Sequence, residues 1–332
     1  MGLLPMLKRL RTLITHKIHQ LPVLVLMPHS RCNCRCVMCD IWKANTEKRE
    51  ITVEELEKHI AQFIQLKVRE VVFSGGEALM HSNLWKLCSL IRQNEIRITI
   101  LSTGLLLQKN ATEIIAHCDE VIVSLDGSQT VHDKIRNVPD GFSKLAAGVK
   151  ELKRLKPEFK VGGRCVLQRF NYFDFVNIVK SAKDIGLDRI SFLAADVSTS
   201  AFNRLASWSD NRASEVAPSK NEAAEFETIV RNSFSILASE YRSNFISESP
   251  QKMLKIVQYY KAINRMGDFP EAICNAPWVS SVVESDGSVM PCFFHRPYGN
   301  LYANDFLGII NSSEEIAFRQ QLNVKTDYLG WS

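Results

Sequence analysis

No stretch of the 332-residue chain is both long and apolar enough to cross a membrane, which takes about 20 residues. Glycine (15) and proline (11) are sparse, and there is no repeat or low-complexity tract, so linker-like and solenoid architectures are excluded. Neither charge sign dominates. With 41 basic and 36 acidic residues the net charge is only +5, and the clustered basic stripe of a nucleic-acid-binding domain is missing. The N-terminus "MGLLPMLKRLRTLITHKIHQLP" lacks the order of charges, apolar block and cleavage site that makes an export signal. The expected compartment is therefore the reducing cytoplasm, where closely spaced cysteines mean metal or redox chemistry more often than disulfides.

What is present is a large apolar fraction, 45%, enough for one barrel plus an appendage. Short β-branched runs at 22–27, 69–75, 96–103, 119–127, 160–168 and 188–196 read as strands. Between them, segments 53–66, 83–94, 111–118, 142–155 and 174–186 carry apolar residues at three- and four-residue steps and read as helices. Thr52, three residues before Glu55, predicts a capping box, and Asn83 and Asp174 are expected caps for two further helices. Strands alternating with helical crossovers imply an α/β fold, a partial (βα)6 TIM-like barrel of parallel strands. Reactive groups in such barrels lie on loops after the C-terminal strand ends.

One of those loops, after the first strand, is "HSRCNCRCVMCDIW" (29–42), with Cys32, Cys34, Cys36 and Cys39 in eight positions. Thiolates select zinc, Cu(I) or iron–sulfur clusters. A structural zinc takes four ligands, often as two separated pairs, and no second pair lies nearby. A cubane cluster can use three cysteines and leave one iron open, and Cys32-x3-Cys36-x2-Cys39 supplies that number, with Cys34 not required to point inward.

That spacing, with Met38 before the last cysteine, resembles the radical S-adenosylmethionine (SAM) superfamily. "SGGEA" (74–78), "STG" (102–104), "SLDG" (124–127) and "HDKIRNVPDGF" (132–142) fall where that family has its motifs. The resemblance covers about residues 20–195 and departs at Ala78, where the family has proline. It implies a [4Fe-4S] cluster on Cys32, Cys36 and Cys39, and SAM held by Met38, Gly75, Gly76, Glu77, Ser102, Ser124, Arg136 and Leu193. Glu77 would accept from the SAM ammonium, Arg136 would hold a carboxylate, Ser124 would meet the ribose or amino-acid portion, and Met38 and Leu193 would sit near the adenine. Asp126 is read as shaping its Asp-Gly turn. The sequence does not single out a catalytic acid or base.

Helical segments 221–242 and 250–265 lead to "CNAPWVSSVVESDGSVMPCFFHRPYGN" (274–300), where Asp286-Gly287 between two β-prone runs signals a hairpin. The hairpin would draw Cys274 towards Cys292. This small C-terminal α+β extension resembles the SPASM/twitch extensions that carry auxiliary clusters. No cysteine follows Cys292, so the extension reads as incomplete, a second cluster on Cys274 and Cys292 is the lesser alternative, and His295 is read as a surface or packing histidine ahead of a third cluster ligand. The expected organisation is a basic amphipathic segment at 1–20, the core barrel at 21–200, a helical connection at 201–270 and the extension at 271–332.

The first expectation is an enzyme that cleaves SAM reductively and abstracts hydrogen from a small-molecule substrate such as a sugar, nucleoside or cofactor precursor. An electron donor such as flavodoxin or ferredoxin would serve it. A maturase of ribosomally made peptides is the alternative, disfavoured because the roughly 20 residues before the first strand cannot form a leader-binding domain. A non-catalytic cluster protein is the third class, disfavoured because a carrier needs no Glu77 or Arg136. For residues 3–20, packing against protein is favoured over lying on a membrane surface.

Overall fold

The computed structural model describes residues 10–46, 49–204, 206–271 and 274–322. Six parallel strands form the body: β1 (Val23–Leu26), β2 (Glu70–Phe73), β3 (Arg97–Ser102), β4 (Glu120–Ser124), β5 (Lys160–Leu167) and β6 (Arg189–Ala194). Helices Val53–Gln65, Leu84–Arg92, Leu107–His117, Gly141–Leu155 and Phe175–Asp184 make the crossovers. The period-two pattern of the strands assigns their faces. Leu24, Leu26, Val71, Phe73, Val121, Val123, Ile190 and Phe192 are buried on the helix side. Val25, Val72, Leu101, Ile122 and Arg164 line a lumen of about 420 Å³ on the other.

The C-terminal hairpin does not make a separate sheet. β7 (Ser280–Val283) pairs parallel to β1, β8 (Ser288–Met290) returns antiparallel, and β9 (Gly299–Asn300) follows, giving the order β6-β5-β4-β3-β2-β1-β7-β8-β9. The edge of β1 is thereby paired instead of left open. Gly287 makes the turn at φ 88°, where a side chain would be strained and a Cβ would meet Tyr302 at 2.3 Å. At the far edge, Ile190 exchanges backbone bonds with Phe245 and Ser247 (2.7 and 2.9 Å), and Glu248 accepts the N–H of Phe192 at 2.8 Å.

The Thr52–Glu55 capping box is formed, at 3.2 and 2.8 Å. Asn83 and Asp174 stand at the N-caps of their helices but neither side chain caps. Asp174 accepts instead from the N–H and hydroxyl of Ser128 (2.8 and 2.9 Å), donors that the loop after β4 brings to its carboxylate. The motif at 132–142 begins inside a helix, Gln129–Arg136, ended by Asn137 in the left-handed conformation. The run 221–242 is broken at Leu237 into helices Lys220–Ile236 and Ala238–Arg242.

Near the N-terminus residues 10–15 are helical. Leu10, Leu13 and Ile14 are exposed while Ile18 is buried; residues 3–9 of the expected amphipathic segment lie outside the described residues. Asn311 clasps the backbone of Ile18 in both directions (2.7 and 3.1 Å), and Arg319 donates to the carbonyl of His16 at 2.6 Å. No described helix is long and apolar enough to cross a membrane.

Candidate active site

The cysteine loop leaves β1 at the C-terminal rim of the barrel and is held from two sides. The N–H of Glu77 donates to the carbonyl of Arg31 at 2.8 Å. Gly76 makes that approach feasible, because a Cβ there would lie 1.9 Å from the Arg31 carbonyl oxygen. On the other side the N–H groups of Arg35 and Val37 donate to the carbonyls of Arg136 and Ile135, at 3.3 and 3.1 Å. Cys36 thus sits between two residues pinned to the end of helix Gln129–Arg136.

Three of the four sulfurs accept an N–H. Cys32 Sγ takes the N–H of Cys34 at 3.5 Å, Cys39 Sγ that of Ile41 at 3.4 Å, and Cys36 Sγ the Nη1 of Arg136 at 3.5 Å. Cys34 behaves differently. It is turned into the core, 1% exposed, beside Cys32 and Cys36. Sharing its one S–H with the flanking sulfurs, together with burial, pushes the Cys34 thiol far above its ordinary pKa, and the same sharing lowers Cys32 and Cys36. Burial pushes Cys39 up to about 12. Three sulfurs supported by N–H donors, with a fourth kept as a thiol, suit a cluster that takes three cysteine ligands, since hydrogen bonds to sulfur help hold and tune such clusters. Among the described residues no three or more His, Cys, Asp or Glu converge on a single ion position.

Glu77 is 0% exposed. Its carboxylate accepts from the N–H of Leu79 (3.2 Å), the hydroxyl of Ser102 (3.0 and 3.1 Å) and the N–H and hydroxyl of Thr103 (both 2.6 Å). Burial raises its pKa against the opposing pull of those bonds. It fastens the loop after β2 to the end of β3. Thr103 Oγ1, whose one proton goes to Glu77, also lies 2.9 Å from the side-chain amide of Asn33, which can donate to it.

Arg136 and Asp126, ten residues apart, form a buried ion pair. Nε and Nη2 both reach Asp126 Oδ2 at 2.5 Å, and Asp126 Oδ1 accepts the N–H of Val166 at 3.0 Å. Asp126 is therefore more than a turn former, and the fork of Arg136 is taken by a carboxylate of the chain itself. Met38 is buried beneath the loop. Ser124 and Leu193 are half-buried at the ends of β4 and β6, in register with Arg164 and Val166.

Sequence reasoning missed Arg164, whose sole visible signal was a charge inside a strand run. Burial lowers its pKa, and its Nε donates to Ser191 Oγ at 3.5 Å. It also missed the segment after β6, which closes over the cysteine loop. Trp208 donates to Asp40 at 2.9 Å, Arg212 donates to the Val37 carbonyl, and Arg204 lies 3.8 Å over the Trp208 ring while pairing with Asp196 at 2.8 Å.

Beside the loop a cavity of about 470 Å³ opens between the rims of β1 and β7. Met27, Ile41 and Met290 form its apolar floor, against which Cys39, Phe202 and Phe293 pack, and Glu284 and Asp286 stand at its polar side. Burial and the neighbouring Asp286 raise the Glu284 carboxyl. In the extension, Cys292 accepts the N–H of Phe294 at 3.4 Å, and burial, with Cys274 nearby, raises its pKa to about 11. The His295 ring meets Phe318 edge-on at 5.2 Å. None of the nine cysteines forms a disulfide.

Residues 26–191 match the radical SAM superfamily model, and residues 274–329 match SPASM, the iron-sulfur cluster-binding domain. The chain belongs to the radical SAM superfamily, with a SPASM-type extension. The cofactors of that class are a [4Fe-4S] cluster and SAM, and the SPASM match implies further iron–sulfur binding.

Among curated proteins the chain is 21% identical over 293 residues to the antilisterial bacteriocin subtilosin biosynthesis protein AlbA of Bacillus subtilis, covering 85% of this chain and 58% of that one. It is 28% identical over 174 residues to Fe-coproporphyrin III synthase of Methanosarcina barkeri, covering 52% and 43%. The chain thus spans about half the length of these curated relatives. In fold it is similar to Streptococcus suis SuiB bound to precursor peptide SuiA (TM-score 0.65, 16% identity, 95% of this chain and 70% of that one).

Proposed function

We propose that this chain is a radical SAM enzyme that cleaves SAM reductively and abstracts hydrogen from a substrate at the barrel rim. The observation that carries the reading is the cysteine loop, with sulfurs of Cys32, Cys36 and Cys39 each accepting an N–H while Cys34 does not. When bound, the cluster supplies the electron that splits SAM into methionine and a 5′-deoxyadenosyl radical. The chain contributes position and exclusion. Gly75 and Gly76 let the loop after β2 pack directly on the cysteine-loop backbone at His29 and Arg31, and Ser102, Ser124, Met38 and Leu193 would line the SAM site. Trp208 and Arg212 fasten the segment after β6 to the loop at Asp40 and Val37, and water kept from the site there would not quench a reactive species. In this reading residues 21–200 are the catalytic core, residues 271–332 the extension, and the compartment the reducing cytoplasm with a flavodoxin- or ferredoxin-type donor.

The substrate assigned first is a small molecule. A cavity of about 470 Å³ falls within the usual range for small-molecule sites, about 300–1,000 Å³. A peptide side chain is the second reading. It is supported by the match to AlbA, which runs over 85% of this chain, whereas the porphyrin-synthase match covers about half. Anaerobic reconstitution, followed by assay of methionine and 5′-deoxyadenosine, tests the activity. Cys32→Ala, Cys36→Ala and Cys39→Ala should each abolish cleavage, and Cys34→Ala should retain it. Full cleavage in any of the first three sinks the assignment. Deuterium transfer from candidate small molecules or peptides into 5′-deoxyadenosine separates the two substrate classes.

A further inference from the structure

The donor to Cys36 differs in kind from the donors to Cys32 and Cys39. Those two sulfurs accept backbone N–H groups, which are neutral. Cys36 accepts from Arg136, whose side chain is 9% exposed. A guanidinium cannot shed its charge by losing a proton, and its planar fork is fixed when two nitrogens bind one carboxylate. Here Nε and Nη2 are fixed on Asp126, itself 0% exposed, leaving Nη1 aimed at Cys36 Sγ, 3.5 Å away. The pair is a buried dipole with its positive end at the sulfur. Backbone bonds from Arg35 and Val37 to Arg136 and Ile135 tie the same helix end to the same cysteine.

We propose that Arg136, oriented by Asp126, is a positioning residue that fixes the Cys36 sulfur and raises the reduction potential of the cluster held by this loop. The inference rests on the reading of Cys32, Cys36 and Cys39 as cluster ligands. Hydrogen bonds to the sulfurs and local charge are among the properties that set such potentials. A positive end beside one sulfur favours the reduced state, which carries one more negative charge. Removing the arginine charge should lower the potential, and removing the aspartate charge should raise it. A merely structural pair would leave the potential of every variant that loads where it is in wild type.

The test is a redox titration of the reconstituted full chain, followed by electron paramagnetic resonance, with iron and sulfide counted for each variant and SAM affinity measured separately. Arg136→Met is expected to titrate below wild type and Asp126→Asn above it, with Arg136→Lys shifted down by less than the Met variant. Loaded single variants at the wild-type potential, or both moving in one direction, would overturn the proposal. So would a loss of SAM affinity at unchanged potential, which would give Arg136 to the SAM carboxylate. If the single variants fail to load, the double variant Asp126→Leu/Arg136→Met decides, because it leaves no unpaired buried charge. A potential below wild type supports the proposal, and the wild-type value overturns it. A wild-type chain that binds no cluster would remove the ligand reading and this inference together, a result distinct from loaded variants that do not shift.

Discussion

Replacing Glu77 by alanine would leave four donors, two backbone and two hydroxyl, facing a space from which water is excluded. The hydroxyls of Ser102 and Thr103 can rotate towards other acceptors. The N–H groups of Leu79 and Thr103 cannot. A buried donor left without a partner costs about 1–3 kcal/mol, so two fixed donors cost roughly 2–6 kcal/mol. Burial already penalises the ionised carboxylate, as its raised pKa records, and losing that penalty offsets part of the cost. The expected destabilisation of Glu77→Ala is about 3 kcal/mol, a sizeable share of the roughly 5–15 kcal/mol that holds a domain together. Glu77→Gln should cost less than Ala but still destabilise, since its amide nitrogen faces the Thr103 N–H in place of an acceptor. Urea unfolding of the iron-free chain measures both, with the midpoint and slope read separately. Stability within about 0.5 kcal/mol of wild type for both variants, with only SAM affinity lost, would refute the role of Glu77 as an internal fastening and return it to direct contact with the SAM ammonium.

Gly76→Ala should displace the Arg31 carbonyl and with it the cysteine loop, so iron bound after reconstitution should fall well below wild type while far-ultraviolet circular dichroism stays unchanged; wild-type loading would contradict the close approach. Phe306→Ala should cost about 3–5 kcal/mol, because its ring packs edge-on against Phe63 at 5.2 Å and both are fully buried between barrel helix and extension; a urea midpoint near wild type would show that the two parts are not coupled there. Burial lowers His29 and His132 from 6.5 to about 4. The unfolded imidazoles therefore take protons at a pH where the folded ones do not, so stability should be level above about pH 6.5 and fall as the pH drops from there towards 4. Urea midpoints at several pH values check this, and the slope should flatten in His132→Asn; a pH-independent midpoint over that range would rule it out.

The strand order, the crossovers and the cysteine loop at the barrel rim could be read from local pattern, because each rests on residues close together in the chain. Short β-branched runs such as 119–127 and 188–196 become β4 and β6, and the Thr52–Glu55 box forms because its partners are three residues apart. Motif spacing likewise singled out Gly76 and Glu77 before any contact was known. What those residues touch was decided by tertiary structure. Asp126 and Arg136 look like a turn residue and a ligand-binding arginine until the helix after β4 folds back, and the nitrogen at Cys36 comes from 100 positions along the chain. Glu77 finds Thr103 across 26 residues, and Trp208 reaches Asp40 across 168. The pairing of β7 with β1 was hidden for the same reason. A hairpin signal fixes which two strands turn on each other, but the edge they join depends on which strand the rest of the fold leaves unpaired. The amino-acid pattern thus set the elements and the spacing of the cysteines. Which polar group meets which charge inside the protein was set by long-range packing, where a buried donor or carboxylate must find whatever partner the fold brings to it.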